Sequence, residues 1–242
     1  MQMNEFYNCD CMEYMATVPD KYFELAIVDP PYGIGESKDK SSRWKNRIDK
    51  RNGKPIIINK LPYKESEWDC KIPEKKYFLE LFRISKNQII WGGNYFIEHL
   101  KNTSCLIVWD KVNGENDFSD CEIAWTSFKT ATRQLEYMWC GFLQGESLTN
   151  GRKSQGNRKL CEARIHPTQK PVALYRWLLQ NYAKPKDKIF DSHVGSGSSI
   201  IACIEEGFEY VGCELDIDYY KAASARIETH KEQGRLFAPC TV

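Results

Sequence analysis

The most distinctive chemistry in this sequence lies in the tetrapeptide Asp29-Pro30-Pro31-Tyr32, which directly follows an apolar run from Phe23 to Val28. The run predicts a buried strand that stops at the prolines. Two consecutive prolines fix φ and remove two backbone N–H groups, so the turn presents carbonyl acceptors. A carboxylate, a carbonyl oxygen and an aromatic ring then face one space, which suits a flat ring that bears an amino group. The competing interpretation is a plain turn with Tyr32 packed beneath it.

A second group of functional residues follows another predicted strand, in the stretch from Phe190 to Ser199. Gly195 and Gly197 allow the backbone to approach a ligand closely, and the start of the next helix offers free N–H groups. The following strand ends at Glu214, where nucleoside-binding α/β folds hold a ribose diol. Ile200 replaces the third glycine of the dinucleotide pattern, and no lysine follows the loop as in a P-loop. The pattern therefore predicts a site for a nucleoside that lacks a pyrophosphate.

Both groups need a scaffold that brings strand ends together, and the order of elements along the chain supplies one. Strand-like and helix-like segments alternate, which is typical of an α/β fold with a largely parallel sheet. Ligands of such sheets bind outside the carboxyl ends of the strands. Strands are predicted over residues 23–28, 88–91, 105–109, 122–128, 135–139, 188–190 and 210–212. Helices are predicted over residues 10–18, 73–84, 171–182, 198–206 and 218–228, and polar loops over 38–71 and 141–164.

Length and composition exclude several classes of protein. The 242 residues fit one domain with a full core. No apolar stretch approaches the roughly 20 residues of a membrane span, and the N-terminal segment lacks a signal pattern. The ten cysteines contain no Cys-x-x-Cys pair, and the four histidines do not combine with them at zinc-finger spacing. We therefore expect a cytoplasmic protein with free thiols, no metal site and no membrane association.

The net charge of +1 conceals two basic segments. Residues 36–60 carry a net charge of +6 and residues 150–170 a net charge of +5, which leaves −10 for the rest of the chain. Such an uneven distribution allows a protein to bind a polyanion without being basic overall. Charge alone is equally consistent with two solvated loops.

Taken together, these motifs resemble the DNA amino-methyltransferases, which modify adenine N6 or cytosine N4 with S-adenosylmethionine. The resemblance rests on the tetrapeptide at 29–32 and on the stretch from Phe190 to Ser199, which we call the glycine loop. It also rests on three further segments: Asn8-Cys9-Asp10-Cys11, His166-Pro167-Thr168-Gln169-Lys170-Pro171 and Tyr210-Val211-Gly212-Cys213-Glu214. The catalytic motif precedes the cofactor loop, as in the β group of the family. The resemblance implies one methyltransferase domain over residues 1–242 with a permuted Rossmann-like class I fold, a mostly parallel twisted sheet with helices on both faces.

The resemblance also implies a role for each motif. Asp29 and the carbonyl of Pro30 would accept hydrogen bonds from the target amino group beside Pro31, and Tyr32 would stack on the base. The methyl group would pass without a covalent intermediate to a base flipped out of the duplex. Thr168 and Lys170 are expected near the methionine carboxylate of the cofactor. The residues implied in cofactor binding are Asp10, Cys11, Thr168, Lys170, Asp191, His193, Gly195, Ser196, Gly197, Glu214, Leu215 and Asp216.

The two basic segments would contact DNA. A basic flap over about 36–71 follows the catalytic motif, and a short target-recognition segment occupies about 141–165. The candidate DNA contacts are Arg43, Trp44, Lys45, Arg47, Arg51, Arg152, Lys153 and Arg158. A short recognition segment favours a short target site or help from a second subunit. A homodimer and a cognate restriction nuclease are therefore the partners considered besides DNA.

Several alternatives stay open at the level of sequence. An aspartate before Pro-Pro-Tyr favours adenine N6 as the target without excluding cytosine N4. An RNA methyltransferase or a non-catalytic nucleic-acid-binding partner would share much of the pattern, although intact Asp29, Tyr32 and Glu214 count against a non-catalytic role. Ser192-His193 stands where the family commonly has Pro-Phe. His193 either replaces the aromatic contact or adds a hydrogen bond.

Overall fold

The computed structural model describes residues 2–35, 69, 71–113, 119–140 and 143–237, with side chains to residue 233. The strands are β1 (Glu5–Asn8), β2 (Phe23–Val28), β3 (Ser85–Trp91), β4 (Leu106–Asp110), β5 (Cys121–Thr126), β6 (Arg133–Glu136), β7 (Trp139–Cys140), β8 (Leu143–Gln144), β9 (Lys188–Asp191) and β10 (Glu209–Glu214). Eight of them form one sheet in the order β1-β10-β9-β2-β3-β5-β4-β6. The strands β7 and β8 form a separate two-stranded ribbon.

The sheet is mostly parallel, as the alternation of elements predicts. All pairings from β1 across to β3 are parallel, and β4 pairs in parallel with β6. The exception is β5, which runs antiparallel to both β3 and β4. Parallel strands need crossover connections, which helices commonly supply. The α-helices of the described residues are α1 (Cys11–Ala16), α2 (Lys75–Ile84), α3 (Val172–Tyr182), α4 (Ser198–Glu206) and α5 (Ile217–Phe237).

Helices cover both faces of the sheet because successive side chains of a strand point in opposite directions. On β2, Leu25 and Ile27 belong to one buried cluster with residues of α3 and α4. Ala26 and Val28 belong to a second cluster with residues of α1 and α2. Burial on both faces explains why β2 is almost continuously apolar rather than alternating. The class I arrangement implied by the resemblance is confirmed, with the motif at 29–32 after β2 and the glycine loop after β9.

Local sequence signals set the ends of the helices near the site. The Asp10 side chain caps α1 by accepting a hydrogen bond from the backbone N–H of Met12 at 2.7 Å. Helix α4 begins after Gly197 and ends before Gly207, whose φ values are 81° and 74°. Glycine adopts this left-handed conformation without the steric cost that a side chain imposes. Across the described ranges, no helix is both long and apolar enough to cross a membrane.

The structure departs from the predicted elements in several places, and the first is β1, which is not among the predicted strands. The predicted loop over 141–164 contains β8, which pairs with β7, and a short 3₁₀ helix, Arg158–Leu160. The strand predicted over 135–139 is two strands, because β6 ends at Glu136 and β7 begins at Trp139. Helix α5 extends to Phe237, beyond the predicted end at residue 228. The predicted loop over 38–71 lies outside the described residues except at positions 69 and 71.

Candidate active site

Two cavities open at the carboxyl edge of the sheet and meet at the turn that follows β2. The first, of about 750 Å³, lies over the ends of β9 and β10. The second, of about 620 Å³, lies between the end of β2 and the connection from β4 to β5. The residues that line both cavities are Asp29, Pro31, Thr168, Gln169 and Lys170. Ligands in the two cavities would therefore meet beside Asp29.

Most residues predicted to bind a cofactor line the first cavity, namely Asp10, Cys11, Thr168, Lys170, His193, Gly195, Ser196, Glu214, Leu215 and Asp216. Glu214 organises the loop between β9 and α4, because its Oε2 accepts a hydrogen bond from the N–H of Gly195 at 2.9 Å. Its Oε1 accepts another from the N–H of Asp216 at 2.9 Å. Burial raises the pKa of Glu214, and these hydrogen bonds oppose that increase.

Two predicted cofactor residues do not line either cavity. Asp191 is buried beneath the glycine loop, where it accepts hydrogen bonds from the N–H of His193 at 3.0 Å and the hydroxyl of Ser199 at 2.5 Å. Burial raises its pKa to about 7, although both hydrogen bonds oppose the increase. Gly197 faces α5, since a Cβ there would lie 3.1 Å from Cδ1 of Ile227. Both residues shape the loop from behind instead of facing the ligand space.

The second cavity has aromatic walls around the turn at 29–32. The ring of Tyr32 stacks on the ring of Tyr95, with centroids 4.9 Å apart and planes at 16°. Gly92 packs on the same ring: its φ is +69°, and a Cβ would approach Cε1 of Tyr32 to 2.2 Å. The hydroxyl of Tyr32 donates to Oδ1 of Asp29 at 2.6 Å. Trp109 and Trp139 complete the aromatic lining.

A row of alternating charges lies behind Asp29. Nζ of Lys170 donates to Oδ2 of Asp29 at 2.6 Å and pairs with Oε2 of Glu122 at 3.0 Å. Oε1 of Glu122 pairs in turn with Nζ of Lys111 at 2.6 Å. The ammonium of Lys170 is thus engaged with two carboxylates, whereas the resemblance implied a contact to the cofactor carboxylate. Sequence reasoning did not single out Glu122 or Lys111.

Burial and ion pairing have opposite effects on this row. Burial opposes the charge of Glu122, but Lys170 and Lys111 outweigh it and lower its pKa to about 2. Burial also opposes the charge of Lys170, yet Asp29 and Glu122 raise its pKa. For Asp29, burial dominates and raises the pKa, while Lys170 opposes the increase. Asp29 is therefore the group in the row for which burial outweighs ion pairing.

Comparison with known proteins shows the family of this chain. A family model for N6 and N4 enzymes, described as DNA methylase, matches residues 23–225, which include both motifs. The chain belongs to the DNA methylase family. The DNA adenine methyltransferase YhdJ of Escherichia coli (strain K12) is 23% identical over 252 residues, which cover 90% of this chain and 81% of YhdJ.

Solved structures show the same fold as this DNA methylase. The crystal structure of the M1.HpyAVI-SAM complex superimposes with a TM-score of 0.50 at 18% identity, covering 92% of this chain and 98% of that one. The PvuII DNA methyltransferase, which is cytosine-N4-specific, has a TM-score of 0.54 at 14% identity, and the match covers 94% of this chain and 90% of the PvuII chain. The class I methyltransferase fold is thereby established independently of the motifs.

The methylase holds His193 in a chain of hydrogen bonds. The hydroxyl of Tyr77 lies 2.7 Å from Oγ of Ser192, which lies 2.8 Å from Nδ1 of His193. If Tyr77 donates to Ser192 and Ser192 donates to Nδ1, all three groups are satisfied and Nε2 carries the proton. Burial lowers the pKa of His193 to about 4, so the ring is neutral near pH 7. His193 also keeps an aromatic contact, because its ring packs edge-to-face on the ring of Tyr77 with centroids 5.5 Å apart.

Thiols of this methylase near the first cavity are poor nucleophiles. Burial raises the pKa of Cys11 to about 12 and also raises that of Cys9. A thiol attacks only as its thiolate, so neither residue is suited to covalent catalysis at ordinary pH. Nowhere in the described ranges do three or more His, Cys, Asp or Glu side chains gather as metal ligands.

The candidate DNA contacts of the methylase divide into two groups. Arg43, Trp44, Lys45, Arg47 and Arg51 lie outside the described residues. In the second group, Arg152 forms a bidentate pair with Glu136, Lys153 pairs with Glu146 at 3.0 Å, and Arg158 lies exposed in a 3₁₀ helix. Arg164, which sequence reasoning did not single out, stacks over the ring of Trp139 at 4.2 Å and lines the second cavity. The prediction that these residues bind DNA stays a prediction.

Proposed function

We propose that this chain transfers a methyl group from S-adenosylmethionine to the N6 amino group of adenine in DNA. The observation that carries the proposal is the pair of cavities that share a wall at Asp29. A methyl donor and an acceptor base each need a cavity, and the reacting atoms must come together where the cavities meet. The family of DNA methylases supplies the reaction class.

The residues of the first cavity fit the cofactor. Glu214, at the end of β10, is suited to hold the ribose hydroxyls, and Asp216 and Asp10 lie nearby on the cavity wall. The loop from 191 to 197 carries no Lys or Arg, in agreement with a nucleoside that lacks a pyrophosphate. When bound, S-adenosylmethionine supplies an electrophilic methyl group on a sulfonium centre.

Asp29 and its neighbours activate the acceptor. An exocyclic amine is a weak nucleophile because its lone pair is delocalised into the ring. Hydrogen bonds from that amine to Asp29 and to the Pro30 carbonyl favour a pyramidal nitrogen and place negative potential where positive charge develops. Tyr32 and Tyr95 supply a flat wall for the base, and Tyr32 also holds Asp29 in position. Because a stacked base cannot reach this cavity, the base is flipped out of the duplex.

Adenine is favoured over cytosine by two observations. The motif begins with Asp29 rather than serine, and YhdJ, a DNA adenine methyltransferase, is similar over 90% of the chain. Cytosine N4 is the second candidate, because the cytosine-N4-specific PvuII enzyme shares the fold. Both bases present an amino group beside a ring nitrogen, so the same residues could serve either.

The test is methylation of unmodified DNA by the purified protein with S-adenosylmethionine, followed by mass spectrometry of the nucleosides. We expect N6-methyldeoxyadenosine, and a loss of about 100-fold or more in Asp29→Ala, because the acceptor of the amine is removed. Lys170 retains Glu122 as a partner in that variant, so the fold should persist. An RNA sample tests polymer specificity. N4-methyldeoxycytidine would overturn the adenine assignment, and an Asp29→Ala variant with full activity would overturn the mechanism.

A further inference from the structure

The row Lys111, Glu122, Lys170 and Asp29 joins four separate parts of the fold. Lys111 follows β4, Glu122 lies on β5, Lys170 precedes α3, and Asp29 follows β2. Successive partners lie 2.6, 3.0 and 2.6 Å apart. The side chain of Lys170 is 3% exposed, so its ammonium must be satisfied by protein groups. Two carboxylates therefore share one buried ammonium.

Sharing matters because a carboxylate that holds an ammonium alone is a weaker acceptor for any third group. Lys170 favours the ionised form of Asp29, but a one-to-one pair would also neutralise the negative potential that Asp29 offers to an amine. Glu122 attracts the same ammonium from the opposite side. Lys111 balances Glu122, so the second carboxylate remains charged without leaving an unpaired charge in the protein.

We infer that Glu122 is a positioning residue for methyl transfer: by sharing Lys170, it preserves the capacity of Asp29 to accept a hydrogen bond from the target amino group. This inference rests on the proposed function, because it assigns Asp29 to the acceptor. It adds a residue on β5, distant in sequence from every motif, to the groups that control the reaction.

The inference predicts the direction of a pH effect. The ionisable groups that act on Asp29 are Tyr32 beside it, Lys170, Glu122 on β5, Tyr77 on α2, Tyr175 on α3 and Asp191 on β9. Glu122 raises the pKa of Asp29 through its negative charge. Replacing it with glutamine should lower that pKa, so Asp29 stays ionised to lower pH while it accepts hydrogen bonds less well.

The experiment compares Glu122→Gln with the wild-type protein over a range of pH. We expect kcat at its plateau to fall about tenfold or more, as for one weakened charge-assisted hydrogen bond. The acidic limb of the kcat profile should move down by about one pH unit, and KM for S-adenosylmethionine should change less than about twofold. Glu122→Asp, which keeps the charge, should recover most of the rate, and the acidic limb of its kcat profile should lie at the wild-type pH. A limb that stays in place or moves to higher pH would overturn the inference.

Two controls separate this effect from damage to the fold. Glu228→Gln removes an exposed carboxylate that pairs with Lys231 on α5, and it should change neither rate nor pH profile. The ionisation of Asp29 is also measured without reaction, by ¹³C NMR of aspartate-labelled protein with Asp29→Asn for assignment. The Asp29 signal should titrate at lower pH in Glu122→Gln, and an unchanged titration would contradict the inference. Absence of methyl transfer in the wild type would instead count against the proposed function.

Discussion

Lys170 has the opposite effect to Glu122 on the charge of Asp29. Burial raises the pKa of Asp29, and Lys170 is the first of the groups that oppose this increase. In Lys170→Met we therefore expect the acidic limb of the kcat profile to move up by about 1–3 pH units. Activity should therefore fall more at the acidic end of the pH range than at the alkaline end. Lys170→Arg keeps the positive charge, so the acidic limb of its kcat profile should stay within about one pH unit of the wild-type position. If the limb moved down in Lys170→Met, the electrostatic account of this site would be wrong.

Asp191 links protonation to the stability of the fold. Its folded pKa of about 7 lies above the usual value of 3.8, so its contribution to stability is complete below about pH 4 and lost as the pH rises through about 7. The free energy of unfolding should fall by up to about 4 kcal/mol across this interval from this group alone. In Asp191→Asn, the amide oxygen can still accept a hydrogen bond from the N–H of His193. Because the amide does not titrate, the free energy of unfolding should depend less on pH in this variant.

The measurement for Asp191 is urea unfolding of both proteins at pH 5, 6, 7 and 8. The difference in unfolding free energy should shift in favour of Asp191→Asn between pH 5 and pH 7 and level off toward pH 8. Two curves that stay parallel over the whole range would show that Asp191 keeps an ordinary pKa in the folded protein.

At the scale of elements, the turn after β3 supports the ring of Tyr32. Gly92 combines a φ of +69° with a Cβ position only 2.2 Å from the ring of Tyr32. Gly207 has a φ of +74°, but nothing lies within 4 Å of its Cβ position. Gly92→Ala and Gly207→Ala should therefore share a backbone cost of about 1 kcal/mol. Only Gly92→Ala must displace Tyr32, and it should lose methyl transfer while it keeps affinity for S-adenosylmethionine.

Thermal unfolding, calorimetric binding of S-adenosylmethionine and nucleoside analysis test this pair of glycines. Equal activity in the two variants would mean that the position of Tyr32 is not critical. Equal loss of activity in both would point to a general effect of backbone strain rather than to the contact beneath the ring.

Elements with strong local signals could be predicted from the sequence, and those held by distant partners could not. The apolar run from Phe23 to Val28 predicts both ends of β2 correctly, and the glycines on either side of α4 predict both ends of that helix. The ribbon of β7 and β8 has no period to reveal it, because two residues per strand are held by pairing alone. Glu122 is placed by β5, whose antiparallel partners β3 and β4 bring it to the site. Its ion pair with Lys170, like that of Lys170 with Asp29, 141 residues away in sequence, exists only in the folded chain.

At the scale of the whole molecule, the uneven distribution of charge carries the prediction that a basic segment of an almost neutral protein binds DNA. Residues 36–60 carry a net charge of +6, whereas the chain as a whole carries +1. Each lysine or arginine that neutralises a phosphate steepens the salt dependence of binding by about 0.9 in log–log slope. Replacing Arg43, Lys45 and Arg47 together with alanine should therefore weaken DNA binding and reduce the slope by up to about 3.

The control for this segment removes the same charge elsewhere. Lys129, Lys184 and Lys186 are exposed in the loops after β5 and before β9, at the edge of the sheet opposite the two cavities. Their replacement by alanine lowers the net charge equally, so it should reproduce any effect that depends on total charge alone. Fluorescence anisotropy of labelled DNA over a series of salt concentrations measures both slopes. A shallower slope confined to the Arg43, Lys45 and Arg47 variant would locate phosphate contacts in the basic segment, whereas equal slopes in both variants would exclude that segment from the DNA interface.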